Sequence, residues 1–445
     1  MAKLHVKAAV IGAGMSGLVA ARELRREGHQ VVVFERSSDI GGTWLYDPSV
    51  ESDPLGLDPG RDVVHSSMYR SLRLNLPRQL MGFSDYPFPK KGSGDSRNFQ
   101  GHEEVLQFLR SFAEDFKLVE LIRFRHEVVR VEQDVEGRRD WWAVEWRTRG
   151  GEEAAGVDVF EAVVVCNGKH TQPRIAEFPG RSTWSGEQLH SHNYRVPEPY
   201  KDKIVLIIGR GTSAGDIAKD ILPHAREVHQ ASRETDNQVM EIRKLAGFFQ
   251  HPMIACAEDD GKLVFQDGSS IYADVIIHCT GYSFHYPFLK TKGLLSVHNN
   301  RVGPLYKHVF PASLAPRLSF IGIPYLTYPT PLSELQSKWV AKVLSGELVL
   351  PSEEEMMSSV QEHYQRIEKL GWPKHHTHRL EIGKFTYEKW LVDQLGLPAL
   401  GQWIEKMALI GLELLKFLQS SDENWRDTWD GEKWMQEEGF GKQIP

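Results

Sequence analysis

Short apolar runs recur along this chain, and two of them lead straight into glycine-rich turns followed by helical spacing. The first, Val6 to Ile11, enters Gly12-Ala13-Gly14-Met15-Ser16-Gly17, after which a helix-length segment ends near Gly28. The next apolar run, Gln30 to Phe34, closes on Glu35. Strand, glycine turn, helix, strand and acid follow in the order of a dinucleotide-binding unit, whose carboxylate, about 20 residues beyond the glycines, holds a ribose hydroxyl. Gly12 makes the tight turn, Gly14 lets backbone approach a pyrophosphate, and Gly17 lets the helix pack on the strand. The helix N-terminus adds N–H groups and a positive dipole end for the phosphates.

The same plan returns at Lys203. An apolar strand, Lys203 to Ile208, enters Gly209-Arg210-Gly211-Thr212-Ser213-Ala214, and Ser213 to Leu222 reads as a helix. Ala214 in the third position is compatible with the fingerprint. Gly209, Gly211, Ser213 and Ala214 therefore predict a second nucleotide site. Gly12 to Glu35 is an offset of 23, and the same offset from Gly209 lands on Ser232, followed by Arg233. A carboxylate there would repel a 2′-phosphate, whereas serine and arginine bind one, which favours NADPH over NADH. The alternative is that Arg233 is a solvated loop cation.

At the first site the chain continues Arg36-Ser37-Ser38-Asp39-Ile40-Gly41-Gly42-Thr43-Trp44. A glycine pair just beyond the ribose-binding acid suits a longer cofactor lying against backbone, which favours FAD and adds Gly42, Thr43 and Trp44 to its expected contacts. Asn75, in Leu74-Asn75-Leu76-Pro77, reads either as a turn asparagine or as an amide set over a cofactor ring.

Elsewhere, Glu103 to Phe116 has helical periodicity, Trp141 to Trp146 and Phe160 to Val165 read as strands, and Pro173 to Pro199 reads as a loop-rich connector. Ile271 to Ile277 and Ser319 to Ile323 are further strands, and Ser333 suits the N-cap of a helix over Leu335 to Leu344. Such a helix would aim its positive end into the cleft. The remainder, Ser352 to Pro445, is helical in pattern, and the His375-His376 pair reads as surface.

With 445 residues, 41% hydrophobic and 25% charged, the chain has the composition of a globular protein of more than one domain. A net charge of −7 argues against nucleic acid as a partner. Cys166, Cys256 and Cys279 form no Cys-x-x-Cys, which disfavours a dithiol reductase. Strand pattern close to Met1 leaves no signal peptide, and no apolar run approaches the ~20 residues of a membrane span, so a cytosolic protein without a membrane anchor is expected. Met407 to Leu418 reads as an amphipathic helix.

Two nucleotide turns joined by the connector Trp184-Ser185-Gly186-Glu187-Gln188-Leu189-His190-Ser191-His192-Asn193-Tyr194 resemble the flavin-containing monooxygenases, whose pattern of aromatic, Gly, His and aromatic falls here on Trp184, Gly186, His190 and Tyr194. Trp184 departs from the family's usual Phe, and Tyr194 is the residue of the heteroatom oxygenases where Baeyer–Villiger enzymes carry Trp. The stretches Cys279-Thr280-Gly281-Tyr282 and Gly371-Trp372-Pro373-Lys374 are most similar to the plant S-oxygenating branch, the glucosinolate S-oxygenase-like enzymes.

The resemblance implies FAD and NADPH as cofactors, with contacts that include Gly281, Glu334 and Gln336. It implies that NADPH reduces the flavin, O2 adds to give a hydroperoxyflavin, and one oxygen passes to a small-molecule nucleophile, sulfur before nitrogen. It makes Asn75 a catalytic-site residue contacting flavin and NADP⁺, and gives His190 a structural role. The expected fold is α/β, with two nested Rossmann-like dinucleotide-binding domains and a helical C-terminal region. FAD-binding parts at 1–197 and 285–445 would flank an NADPH-binding domain at 198–284. The alternatives are an N-oxygenating or keto-acid (auxin-forming) monooxygenase, a flavin NADPH reductase without oxygen transfer, and a non-catalytic nucleotide sensor.

Overall fold

Alternate residues of the opening strand, Lys7–Ile11, point into different cores. Ala8 and Val10 share one with Leu18, Val19 and Trp339, while Ala9 and Ile11 share the other with Trp142, Phe160 and Phe320. Burial on both faces is why the run is continuously apolar, as a central parallel strand demands. Its sheet has five parallel strands in the order Leu318–Phe320, Ala162–Val165, Lys7–Ile11, Gln30–Phe34 and Ile122–Arg123. The helices Met15–Arg26 and Pro329–Leu344 cover one face, and an antiparallel layer built from His126–Val135, Arg138–Thr148 and Ala155–Phe160 covers the other. In this computed structural model the described residues are 3–89, 94–135, 138–150, 154–233, 240–241, 246–381, 383–416 and 425–441.

The second apolar strand, Ile204–Ile208, is divided in the same way: Val205 and Ile207 pack with Ile217 and Ile221, and Leu206 and Ile208 with Phe178, Trp184 and Phe265. It sits inside a six-stranded sheet ordered Met240–Glu241, Phe248–His251, Glu227–Ala231, Ile204–Ile208, Val275–His278 and Glu187–His190, parallel except at the Met240–Glu241 edge. Because Leu318–Phe320 returns to the first sheet after the second is complete, the second is nested within the first, giving the α/β architecture. The edge strand Glu187–His190 lies inside the expected connector, ahead of residue 198, so the second sheet draws on chain from both sides of that position.

The helix expected from Leu335 begins earlier, at Pro329, with Tyr328 rather than Ser333 as its N-cap. Pro329 and Pro331 occupy its first turn, where proline's fixed φ suits the helix and its missing N–H is not needed. Ser333 faces Ser16 instead, with the two hydroxyl oxygens 3.0 Å apart. Beyond it come Glu353–Lys369, opened by a Ser352–Glu355 capping box, then Thr386–Leu395, Gln402–Lys416 and Gly431–Glu437.

Candidate nucleotide sites and the connector between them

The two glycine turns are geometric copies. Gly12 and Gly209 have φ of 102° and 124°, and a Cβ on either would fall 2.7 Å and 2.4 Å from the carbonyl oxygens of Cys166 and Cys279. Each cysteine stands at the end of the strand that pairs with the turn's own strand, so each turn is pressed against the next strand's terminus. Burial raises both thiols, Cys279 to about 12, and neither is a thiolate at neutral pH. Gly14 and Gly211 are the N-caps of Met15–Arg26 and Thr212–Ile221. Neither helix has a side-chain cap or an acid in its first turn, so both keep backbone N–H donors for an anion.

A cavity of about 1110 Å³ opens over the first turn. Gly12, Gly14, Glu35, Gly42, Thr43 and Trp44 line it, as do Pro329, Leu332 and Ser333 at the start of the Pro329–Leu344 helix. Gly42 has a φ of 58°, and a Cβ on it would stand 2.9 Å from the Cα of Gly14, so the two glycine segments form one backbone wall. The buried Glu35 carboxylate accepts from the N–H groups of Ala13 and Ser37, both at 2.7 Å. Gly17 lies behind this wall, on the helix side. The dimensions and the bare backbone suit a long dinucleotide such as FAD.

Other predicted residues lie elsewhere. Gln336 acts at one remove, its Oε1 accepting from the N–H of cavity-lining Gly322 at 3.0 Å. Glu334 is buried in an ion network, accepting from Arg22 at 3.3 Å, Lys338 at 2.7 Å and the N–H of Ser84 at 2.8 Å, and it does not line the cavity. Gly281, with φ of 81°, accepts from the Arg174 N–H at 3.0 Å. Asn75 does not line the cavity either. Half-buried in its turn, it accepts through Oδ1 from the guanidinium of Arg426.

At the second turn, Ala214 is fully buried, and Ser213 is exposed on the first helical turn. The buried Ser232 donates its N–H to the carbonyl of His251 at 3.2 Å, and Arg233 is exposed beside it. The His375–His376 pair, expected at the surface, is half-buried with ring centroids 4.5 Å apart. Burial lowers both imidazoles, and positive charge, from Arg174 and Arg233 at both and from Arg379 at His376, lowers them further.

The side chains of the connector motif are buried. Trp184 donates to the carbonyl of Gly261 at 2.8 Å, and a Cβ on Gly186 would fall 2.2 Å from the Trp184 ring. His190 is fully buried, accepts from the His192 N–H at 3.0 Å and is held by burial at about 3. Tyr194 is fully buried and donates to Asp220 of the Thr212–Ile221 helix at 2.5 Å. Ser71 donates to the same carboxylate at 2.7 Å, and Tyr69 to Asp216, one turn earlier, at 3.2 Å. Two aspartates on one helix face thus bind the chain that leads into Asn75.

Sequence reasoning missed Lys169. It lines the cavity just beyond the Cys166-Asn167-Gly168 turn and donates to the carbonyls of Gly322 at 2.9 Å, Ile323 at 3.4 Å and Pro324. The surrounding protein strips water from its ammonium and pushes it down to about 8. Its place after a strand-ending turn was the available signal; its partners lie on a distant loop.

The family model for flavin-binding monooxygenase-like proteins matches residues 5–256 and 254–392 of the chain. Flavin-containing monooxygenase FMO GS-OX-like 2 of Arabidopsis thaliana is 52% identical over 431 residues, 95% of this chain and 91% of its own. FMO GS-OX5 of the same plant is 50% identical over 429 residues, 95% of this chain and 91% of its own. Among solved structures, S-allyl-L-cysteine S-oxygenase from Allium sativum superposes with a TM-score of 0.93 at 47% identity, covering 99% of this chain and all of that one.

Proposed function

The chain belongs to the flavin-binding monooxygenase-like family and is a flavin-containing monooxygenase using FAD and NADPH; from that premise we propose that it transfers one oxygen atom of O2 to the sulfur of a small thioether or thiol. The observation that carries the reading is the duplicated phosphate turn, since two dinucleotides are what a hydride-fed flavin oxygenase must hold. The sulfur preference is supported by likeness to the garlic S-allyl-L-cysteine S-oxygenase along almost the whole chain.

When bound, the flavin supplies the oxygen chemistry and NADPH the electrons. The chain's own residues bind and orient. We assign the Gly12–Gly17 turn and the Gly42 wall to the FAD pyrophosphate, Glu35 to its ribose, and the Gly209–Ala214 turn to NADPH, with Ser232 and Arg233 reading the 2′-phosphate. The FAD unit takes the first sheet, and the NADPH unit takes 198–284 with Glu187–His190 added at its edge. We assign Asn75, whose Oδ1 accepts from Arg426, to present its amide to the nucleotide chemistry, and the start of the Pro329–Leu344 helix, which lines the cavity, to direct its positive end there. No helix of the described residues is long and apolar enough to cross a membrane, and three unpaired cysteines suit a reducing cytosol.

The test is oxygen uptake by purified enzyme with NADPH and methyl p-tolyl sulfide. We expect sulfoxide formation matched by NADPH and O2 consumption. Sustained NADPH turnover onto an added electron acceptor without O2, with no sulfoxide formed when O2 is present, would identify a reductase, and oxidation of a tertiary amine but no sulfide would overturn the sulfur assignment.

A further inference from the structure

The site gains a residue from the far end of the chain. Arg426 lies in the short helix Trp425–Thr428, beyond the residues that the family model matches. One of its terminal nitrogens, Nη2, donates both to Asn75 Oδ1 and to Asp216, whose oxygens lie at 2.9 Å and 3.2 Å. The side chains of Arg426 and Asp216 are only 11% and 9% exposed, so water competes little for these bonds.

The segment that carries Arg426 is held from behind as well. Arg73 donates to the Arg426 carbonyl at 3.3 Å and pairs with Asp427 at 2.9 Å, and Arg97 reaches Asp427 at 3.3 Å. Asn98 donates to the Trp429 carbonyl at 3.1 Å, and Arg78 pairs with Glu432. The C-terminal segment therefore grips both arms of the loop that carries Asn75.

We propose that Arg426 is a positioning residue for oxygen transfer: it fixes the orientation of the Asn75 amide and clamps the Asn75 turn to the second unit's phosphate-turn helix. A guanidinium has donors and no acceptor, so the atom of Asn75 that faces it must be Oδ1. The amide N–H groups then point away from Arg426, and a ligand on that side meets a donor. An Asn75 without this partner is free to flip and offer an acceptor instead. Because the nitrogen that sets the amide also binds Asp216, the orientation is coupled to the seating of the Thr212–Ile221 helix. This inference rests on the reading that Asn75 faces the nucleotide chemistry.

The experiment compares wild type, N75A, R426A and the double variant as purified flavoproteins. It measures sulfoxide formed per NADPH consumed with methyl p-tolyl sulfide, and hydrogen exchange across Thr212–Ile221. We expect R426A and N75A each to lower the ratio by about threefold or more, with hydrogen peroxide as the balance, and the double variant to match N75A within about twofold. Exchange across the helix should rise about tenfold in R426A. Should R426A fail to fold, Asp216→Asn, which weakens the hold on Arg426, should lower the same ratio to a smaller extent, and a wild-type ratio there would overturn the proposal. Normal coupling in R426A alongside loss in N75A would overturn the role of Arg426 and leave that of Asn75 standing. Normal coupling in N75A would overturn both, and equal losses from R426A in the presence and absence of Asn75 would show an effect that does not run through the amide.

Discussion

Gly17 lies so close to the carbonyl oxygen of Gly12 that a Cβ on it would stand 1.8 Å away. The contact is backbone to backbone and no rotamer can relieve it, so helix and turn would have to separate. Ala214, at the matching place in the second turn, is fully buried with its methyl group accommodated. Gly17→Ala should therefore destabilise the fold by about 1–3 kcal/mol, an overpacking cost. Denaturant midpoints of the two proteins check this, and an unchanged midpoint would show that the turn relaxes freely.

Gly14→Val should act on the cofactor more than on the fold. The new Cβ would be 3.4 Å from the Cα of Gly42, a contact a small shift can absorb, but its methyl groups would fill the wall of the cavity. The variant should purify folded and nearly colourless. Flavin absorbance per protein close to wild type would reassign the first site.

Arg233→Ala should raise the KM for NADPH about tenfold and leave NADH use unchanged, since a charge-assisted contact to phosphate contributes about 1.5–3 kcal/mol. Equal losses with both nucleotides would return Arg233 to a solvated cation. His375 and His376 add a pH test: burial holds both imidazoles below their ordinary value, so NADPH affinity should improve only as pH falls well below 6.5, and NADH affinity should not change.

Stability should fall on the acid side of neutrality. His190, His251, His278 and His378 are buried, and burial holds them at about 3, 4, 4 and 3. All four fold neutral, whereas the unfolded chain takes up protons below the ordinary value of about 6.5. Their contribution is thus fully present above pH 6.5 and is lost as pH falls towards 3–4, each group costing up to about 1.4 kcal/mol per pH unit. Denaturant midpoints at pH 7.5 and 5.0 measure the slope, and a flat profile would contradict the neutral burial of these side chains.

Several features were legible in the chain because their causes are local. A strand buried on both faces must be continuously apolar, a turn pressed against a neighbouring carbonyl must be glycine, and a helix meeting phosphate must start without a capping acid. Val6 to Gly17, Lys203 to Ala214 and Glu35 carry those conditions in consecutive residues. The sequence by itself therefore determined two nucleotide turns, their order and the α/β class. Where two local signals compete, the stronger sets the boundary: Ser333 could cap a helix, but Pro329 four positions earlier already fixes the backbone for one. Tertiary structure alone decided which distant groups meet. Arg426 reaches Asn75 across 351 positions, Lys169 finds carbonyls at Gly322 to Pro324, and Tyr194 finds Asp220 on the second unit's helix. No periodicity encodes such meetings, because they depend on how separately formed layers pack, and packing is set by the summed shape of many side chains rather than by the residues that meet.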